Sequence, residues 1–571
     1  MKRKLLHLLI PMTAVALSAC GTMPQQSDDT VFEYPQSNGF SGNFLAGKAA
    51  QLESQSGYAA QYLLRAHNLD PDNAELRRRA FLALISDGRI SDAVDIAKQL
   101  QSENDQDLFA ALTVMDAAIR EDHYQDALDI VSSLPERGIN ALIAPLAKAW
   151  LYTGLDQKPA AMAALDGMQG NGSLNPLSEY HRGLILAHFG DFDAAERALA
   201  SAYGDPADAP LRAAEALGAV YERKGQVQKA SLLYESYMDR HPQSLAMPFH
   251  LARLDRSEPP IATMLTPAEG LAEAYLDIAT LLSQENAVDP SLLMARYSLS
   301  LRPDDDITRL LVGEVMEIQN RFETAIDVYG AIPVSSPHSW NARLRIASSL
   351  EQIGRADEAI DILEDMVGER RDRPDALIQL GDILRFQQEY GPAADAYDKA
   401  IERLGGKTQV GWRLLYRRGI ANERAGDWAK AEADFLQALE IEPEQPYVLN
   451  YLGYSWVDMG MNFDQAEDML KRAVELQPDD GYIVDSLGWV YYKLGRFDDA
   501  VEQLEKAVEL KPDDPTINDH LGDAYWQIGR YHEARFQWHR ALSFNPTEDL
   551  RSTVEAKING QVPSVAPIVV N

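Results

Sequence analysis

Apolar positions recur along most of this chain as pairs of stripes at helical spacing, each pair followed by a short polar turn. The pattern is sharpest in the last third, where Gly419, Gly453, Gly488 and Gly522 stand 34, 35 and 34 residues apart. Leu452, Leu487 and Leu521 precede the glycine, and Trp456, Tyr491 and Tyr525 follow it by three. A second glycine comes seven residues on, at Gly426, Gly460, Gly495 and Gly529. Ala431, Ala466, Ala500 and Ala534 come next, then the large Phe435, Leu470, Leu504 and Trp538, then Ala438, Ala473, Ala507 and Ala541. Pro443, Pro478, Pro512 and Pro546 close the units. Each unit therefore predicts two helices joined by a turn at the second glycine. The small residues let the helices approach, the large one fills the space between them, and the proline is expected to open the next helix without losing a needed hydrogen bond. One such pair cannot bury both faces, so neighbours must stack.

Period and residue types resemble the tetratricopeptide repeat. The resemblance implies an all-α superhelical solenoid. The register continues upstream more weakly, through Gly381, Ala393 and Tyr397, Gly354 and Ala359, and Gly313, Ala325 and Tyr329. Gly218, Tyr221, Gly225, Ala230 and Tyr234 mark a further unit, and Gly183, Gly88 and Gly47 mark others. About 13–14 helix pairs are expected over residues 40–546. The segment 245–275 breaks the rhythm with Pro259, Pro260 and Pro267, which cannot sit inside helices. It reads either as a diverged repeat with a long loop or as a hinge between an N-terminal solenoid (40–244) and a C-terminal one (276–546). Residues 547–558 read as a polar capping helix, and 559–571 as an extended tail.

The first twenty residues have a different character. Lys2, Arg3 and Lys4 precede a short apolar run ending in small residues, as in a cleavable secretion signal. Leu17, Ser18, Ala19 and Cys20 resemble the bacterial lipobox, which implies cleavage after residue 19 and lipidation of Cys20. More than one acyl chain makes such an anchor stable. Gly21 fits outer-membrane sorting, and residues 21–39 read as a flexible tether. The expectation is a body in the periplasm, lipid-anchored to the outer membrane.

Composition narrows the function. With 87 acidic against 53 basic residues the net charge is −34, which argues against a general nucleic-acid binder. A single cysteine excludes a disulfide framework and any Cys-cluster metal site. No phosphate-binding loop, nucleophile elbow or zinc-protease motif occurs; Asp304-Asp305-Asp306 and Asp479-Asp480 read as helix caps rather than calcium loops. No catalytic residue, metal or cofactor is expected. What the repeats offer is a surface. In this repeat type the first helix of each pair lines the concave face, and the register places Arg413, Tyr416, Tyr447, Asn450, Tyr454, Tyr482, Asp485, Trp489, Tyr492, Lys493, Asp519, Asp523 and Trp526 there. Aromatics interleaved with polar groups suit peptide capture; they also suit packing between repeats.

The run from Leu449 to Leu542, together with the lipobox, resembles the proteobacterial outer-membrane repeat lipoproteins of the LbcA type. That resemblance implies a non-catalytic adaptor. In that family the lipoprotein binds and activates CtpA, a periplasmic carboxy-terminal processing protease, and presents protein substrates that include peptidoglycan hydrolases. The alternative is a scaffold for an envelope assembly or secretion machine, such as a pilus or polysaccharide exporter.

Overall fold

The computed structural model describes residues 39–53, 55–135, 137–168, 175–259, 265–405 and 410–561. The lipobox, Cys20 and most of the expected tail lie outside them. Thirty helices and no strand occur among the described residues. They form two compact units, one running to Glu369 and the other starting at Arg370.

The N-terminal unit opens with six helix pairs: α1 (Phe40–Leu52) with α2 (Ser56–Leu69), α3 (Ala74–Ser86) with α4 (Ile90–Glu103), and α5 (Leu108–Arg120) with α6 (Tyr124–Ser133). Next come α7 (Asn140–Gly154) with α8 (Lys158–Asp166), α9 (Asn175–His188) with α10 (Phe192–Ala202), and α11 (Leu211–Arg223) with α12 (Val227–Arg240). A single short helix follows, α13 (Ala246–Asp255). The unit ends with α14 (Pro267–Gln284) and α15 (Val288–Leu301), α16 (Asp306–Ile318) and α17 (Phe322–Gly330), and α18 (Ser339–Gln352) and α19 (Ala356–Glu369).

The C-terminal unit holds five pairs: α20 (Asp375–Phe386) with α21 (Tyr390–Arg403), α22 (Trp412–Arg424) with α23 (Trp428–Ile441), and α24 (Pro446–Asp458) with α25 (Phe463–Leu476). Then α26 (Gly481–Lys493) pairs with α27 (Phe497–Leu510) and α28 (Pro515–Gln527) with α29 (Tyr531–Ser543). The last helix is α30 (Glu548–Ile558).

The glycine of each first helix works as the repeat pattern requires. A Cβ on Gly419 would lie 2.6 Å from Phe435, one on Gly488 2.6 Å from Leu504, and one on Gly522 2.5 Å from Trp538. The same pairing joins Gly381 to Tyr397, Gly313 to Tyr329, Gly218 to Tyr234 and Gly47 to Leu63. The second glycines, Gly426, Gly460, Gly495 and Gly529, have φ between 73° and 86°, which a glycine adopts without strain where a helix must stop and turn. The closing prolines differ from expectation. Pro443, Pro478 and Pro512 lie in the connecting turns, and the next helices begin at Pro446, Gly481 and Pro515. Side chains of Gln445, Asp480 and Asp514 cap those helices by accepting backbone N–H groups, and this sets the start. Asp305 caps α16 in the same way.

Segment 245–275 is not one irregular stretch. It contains α13 and the start of α14, with Pro267 in the first turn of a helix capped by Thr266. It lies inside the N-terminal unit, whose boundary falls a hundred residues further on, and the reason is where α14 and α15 go. They leave the stacking order and pack on α3, α5, α7 and α9, the first helices of four earlier pairs. The face that would be the concave groove of those repeats is thus covered by the chain itself. Gly270 permits the contact: its missing Cβ would stand 2.3 Å from the ring of Trp150, which is fully buried. The Trp150 Nε1–H donates to His181 Nδ1 (3.0 Å), so the His181 proton is on Nε2, 3.1 Å from Asp277 Oδ2 on α14. Tyr180 donates to Glu273 (2.9 Å), and Arg212 bridges Glu273 (2.8 Å) and Asp305 (2.7 Å). From α15, Tyr297 donates to the Phe109 carbonyl (2.9 Å) and Ser300 to Asp116 (2.9 Å). Burial raises the Asp116 carboxyl to about 7 despite the Ser300 hydrogen bond. One apolar core runs from Ala60 on α2 to Ala342 on α18.

Candidate functional site

In the C-terminal unit the first helices α22, α24, α26 and α28 carry the residues singled out by the register. Along α26, Tyr482, Asp485, Trp489 and Lys493 share one face because they recur every three or four positions. Their centre is a stack. Trp489 lies parallel to Tyr492 (centroids 4.7 Å, 12°) and to His520 of α28 (3.9 Å, 17°). The Lys493 ammonium sits 5.4 Å from the Trp489 centroid and 4.0 Å from Asp458 of α24. His520 Nδ1 lies 3.0 Å from both carboxylate oxygens of Asp485. Burial opposes charge on His520, but Asp485, with Asp519 and Asp523 beyond it, outweighs burial and raises its pKa. Tyr492 and His520, stacked on it, hold Trp489 in place, and the residue is half-buried.

From α24, Tyr447 is exposed and Tyr454 half-buried; burial, with Asp485 and Asp458 adding to it, pushes the Tyr454 phenol up to about 12. Asn450 Oδ1 is buried and accepts no hydrogen bond from the described residues. Tyr482 is half-buried, with the Lys511 ammonium 5.4 Å from its ring. On α22, the exposed Arg413 packs its guanidinium on Trp412 (4.7 Å), and both line a cavity of about 340 Å³ with Ile378 and Leu404.

Other expected groove residues serve the fold. Asp519 and Asp523 are corrections: Lys557 of α30 reaches both oxygens of Asp519 (2.8 Å) and Oδ2 of Asp523 (2.8 Å), and all three residues are buried. Burial and the neighbouring Asp519 raise Asp523 to about 6 against the pull of Lys557. The capping helix therefore covers this part of α28. Trp526 packs on Tyr531 (4.6 Å) and Trp538 (5.4 Å) of α29. Tyr492 is buried within the stack, and Asp485 is buried against His520. Tyr416 joins Trp412, Phe435 and Tyr451 in an aromatic cluster with centroids 6.0 to 6.4 Å from its own. The open stripe is Arg413, Tyr447, Asn450, Tyr454, Tyr482, Trp489 and Lys493. Sequence reasoning missed His520 and Lys557; His520 falls one repeat after Asp485, and that offset was the available signal.

Comparison with known proteins fits this architecture. Models of the tetratricopeptide repeat match residues 303–376, 412–445 and 488–529. Among the described residues the chain is all-α, fourteen helix pairs with α13 and α30 unpaired, and three of its segments match the tetratricopeptide repeat. It is 25% identical over 195 residues to the TPR repeat-containing protein PA4667 of Pseudomonas aeruginosa, a match covering 34% of this chain and 32% of that protein, about a third of the relative's length. Among solved structures it is similar to the APC/C hetero-tetramer Cut9–Hcn1 (14% identity, 92% of this chain and 97% of that one, TM-score 0.37). It is also similar to yeast Tom70 (15%, 92% and 97%, TM-score 0.34).

Proposed function

We propose that this protein is a non-catalytic adaptor that captures protein segments on the open first-helix stripe of its C-terminal unit. The observation that carries the reading is Trp489, half-buried with Tyr492 and His520 stacked on it, and the Lys493 cation beside its ring. A rigid aromatic contributes contact area at little entropy cost. The repeats support a protein partner, and the covered inner face of the N-terminal unit directs capture to the C-terminal one. Cys20 supplies the lipid anchor at the outer membrane, with the body in the periplasm. The partner is a carboxy-terminal processing protease, which the adaptor activates and supplies with peptidoglycan hydrolases; the second partner rises to a high effective concentration once the first is held.

The test is affinity purification of the lipidated protein from cross-linked envelopes, followed by mass spectrometry. A processing protease among the leading partners, lost with Trp489→Ala, supports the reading, as does faster cleavage of a wall hydrolase when the lipoprotein is added. Secretion or assembly subunits in place of the protease would overturn it in favour of an envelope scaffold.

A further inference from the structure

The N-terminal unit contains a second place built for a ligand. Where α2 and α3 face α15 and the turn between α16 and α17, a cavity of about 540 Å³ opens, a size ordinary for small-ligand sites. Its lining combines Leu82, Leu292 and Leu293 with Ser56, Gln319 and Arg321.

The arginines are the unusual feature. Arg321 is 7% exposed; it donates to Gln319 Oε1 (3.2 Å) and to Ser56 Oγ, while its Nε is buried without a hydrogen-bond partner. Arg296 borders the same space, donating from Nε to the carbonyl of the lining residue Ser86 (3.1 Å). Neither guanidinium makes an ion pair among the described residues. Asp87 attracts both but lies beyond ion-pair distance and accepts from Ser56 (3.1 Å). The carboxylate of the lining, Asp289, accepts from Gln319 Nε2 (2.9 Å). Burial lowers the pKa of both arginines, and Arg321 further lowers that of Arg296. In a chain with 87 acidic residues, the buried Arg321 lines this cavity and the half-buried Arg296 stands beside its lining residue Ser86, neither with a direct carboxylate partner among the described residues. A guanidinium taken out of water is stable only when paired, and its planar fork matches a carboxylate.

We infer that this cavity binds a carboxylate carried on a short aliphatic body, the carboxylate meeting Arg321 and Arg296 and the aliphatic part lying on Leu82, Leu292 and Leu293. The inference is independent of the C-terminal stripe. The ligand is either a free small acid or the carboxyl terminus of a peptide ending in an aliphatic residue.

Titration of the full-length protein by calorimetry and saturation-transfer NMR tests it, using isocaproate against isocaproamide and acetyl-alanyl-leucine against its carboxamide. Each acid should bind and its amide, nearly the same in shape, should not. Replacement by Arg321→Gln or Arg296→Gln should weaken the acid by roughly ten- to a hundredfold, the loss of a charge-assisted hydrogen-bond pair. Tighter binding of isocaproate assigns the site to a small acid, and tighter binding of the dipeptide assigns it to a peptide terminus. Equal binding of acid and amide, or binding of neither acid, would overturn the inference in the wild-type protein alone, even if an arginine variant fails to fold. Unchanged affinity in both folded variants would overturn it as well.

Discussion

Adding a single methyl group at Gly270 tests whether α14 docks where described. Helix propensity alone favours Gly270→Ala by about 1 kcal/mol. Packing gives the opposite sign, because the new Cβ would lie 2.3 Å from the Trp150 ring carbons, far inside contact distance. Trp150 is fully buried and cannot yield into solvent. Turning its ring would break the 3.0 Å bond to His181 and strand a buried donor, at a cost of about 1–3 kcal/mol. Moving α14 off α7 instead would incur the overpacking cost of about 1–3 kcal/mol. Set against the helix gain of about 1 kcal/mol, either route leaves a net loss of up to about 2 kcal/mol from the N-terminal unit. Urea unfolding measures the loss, and hydrogen exchange should place it in α7 and α14, leaving α24 to α28 unchanged. Gly330→Ala on α17, where a Cβ meets nothing within 4 Å, is the control and should be neutral or stabilising. A Gly270→Ala protein stabilised by the full helix gain of about 1 kcal/mol would refute the docking of α14 against the earlier repeats.

Asp116 should give the N-terminal unit a pH dependence. Its carboxyl is raised from 3.8 to about 7, so its contribution is fully present below the unfolded value and is lost as pH rises through the folded one. Between about pH 5 and about pH 8 Asp116→Asn should gain about 3 kcal/mol on the wild type in urea unfolding, and parallel curves would contradict the buried position. Lys557→Met leaves Asp519 and Asp523 buried without their cation, and the C-terminal unit should lose about 3–5 kcal/mol, with faster exchange in α28. Trp489→Ala should weaken partner capture by about 2 kcal/mol, more than it lowers the stability of the C-terminal unit; equal losses in both would mean the half-buried ring serves packing alone.

The repeat pattern showed what is local. Gly419 with Phe435, Gly488 with Leu504 and Gly522 with Trp538 are close in sequence and pack as their periodic spacing required, and 13–14 pairs were expected where fourteen occur. Gly270 with Trp150 obeys the same physics, a small residue beneath a large one, but across 120 positions and between different repeats. No periodicity marks that contact, so the repeat pattern left 245–275 open between a hinge and a diverged repeat and could not show that α14 returns to earlier repeats. The stripe was half legible for a similar reason. Register placed residues on the faces of α24 and α26, but it could not show that Asp485 and Tyr492 would be buried or that α30 would bring Lys557 onto Asp519 and Asp523.

The docked α14–α15 pair changes how the N-terminal unit can fold. A linear repeat array has only nearest-neighbour contacts, so any stretch can nucleate and extend. Here Tyr297 bonds to Phe109 and Arg296 to Ser86, which closes loops of nearly two hundred residues or more. Long-range closure of this kind raises contact order and slows folding. During synthesis the inner faces of α3, α5, α7 and α9 stay uncovered until α15 has emerged, so the apolar surface exposed longest on the nascent chain is the one that ends deepest in the unit.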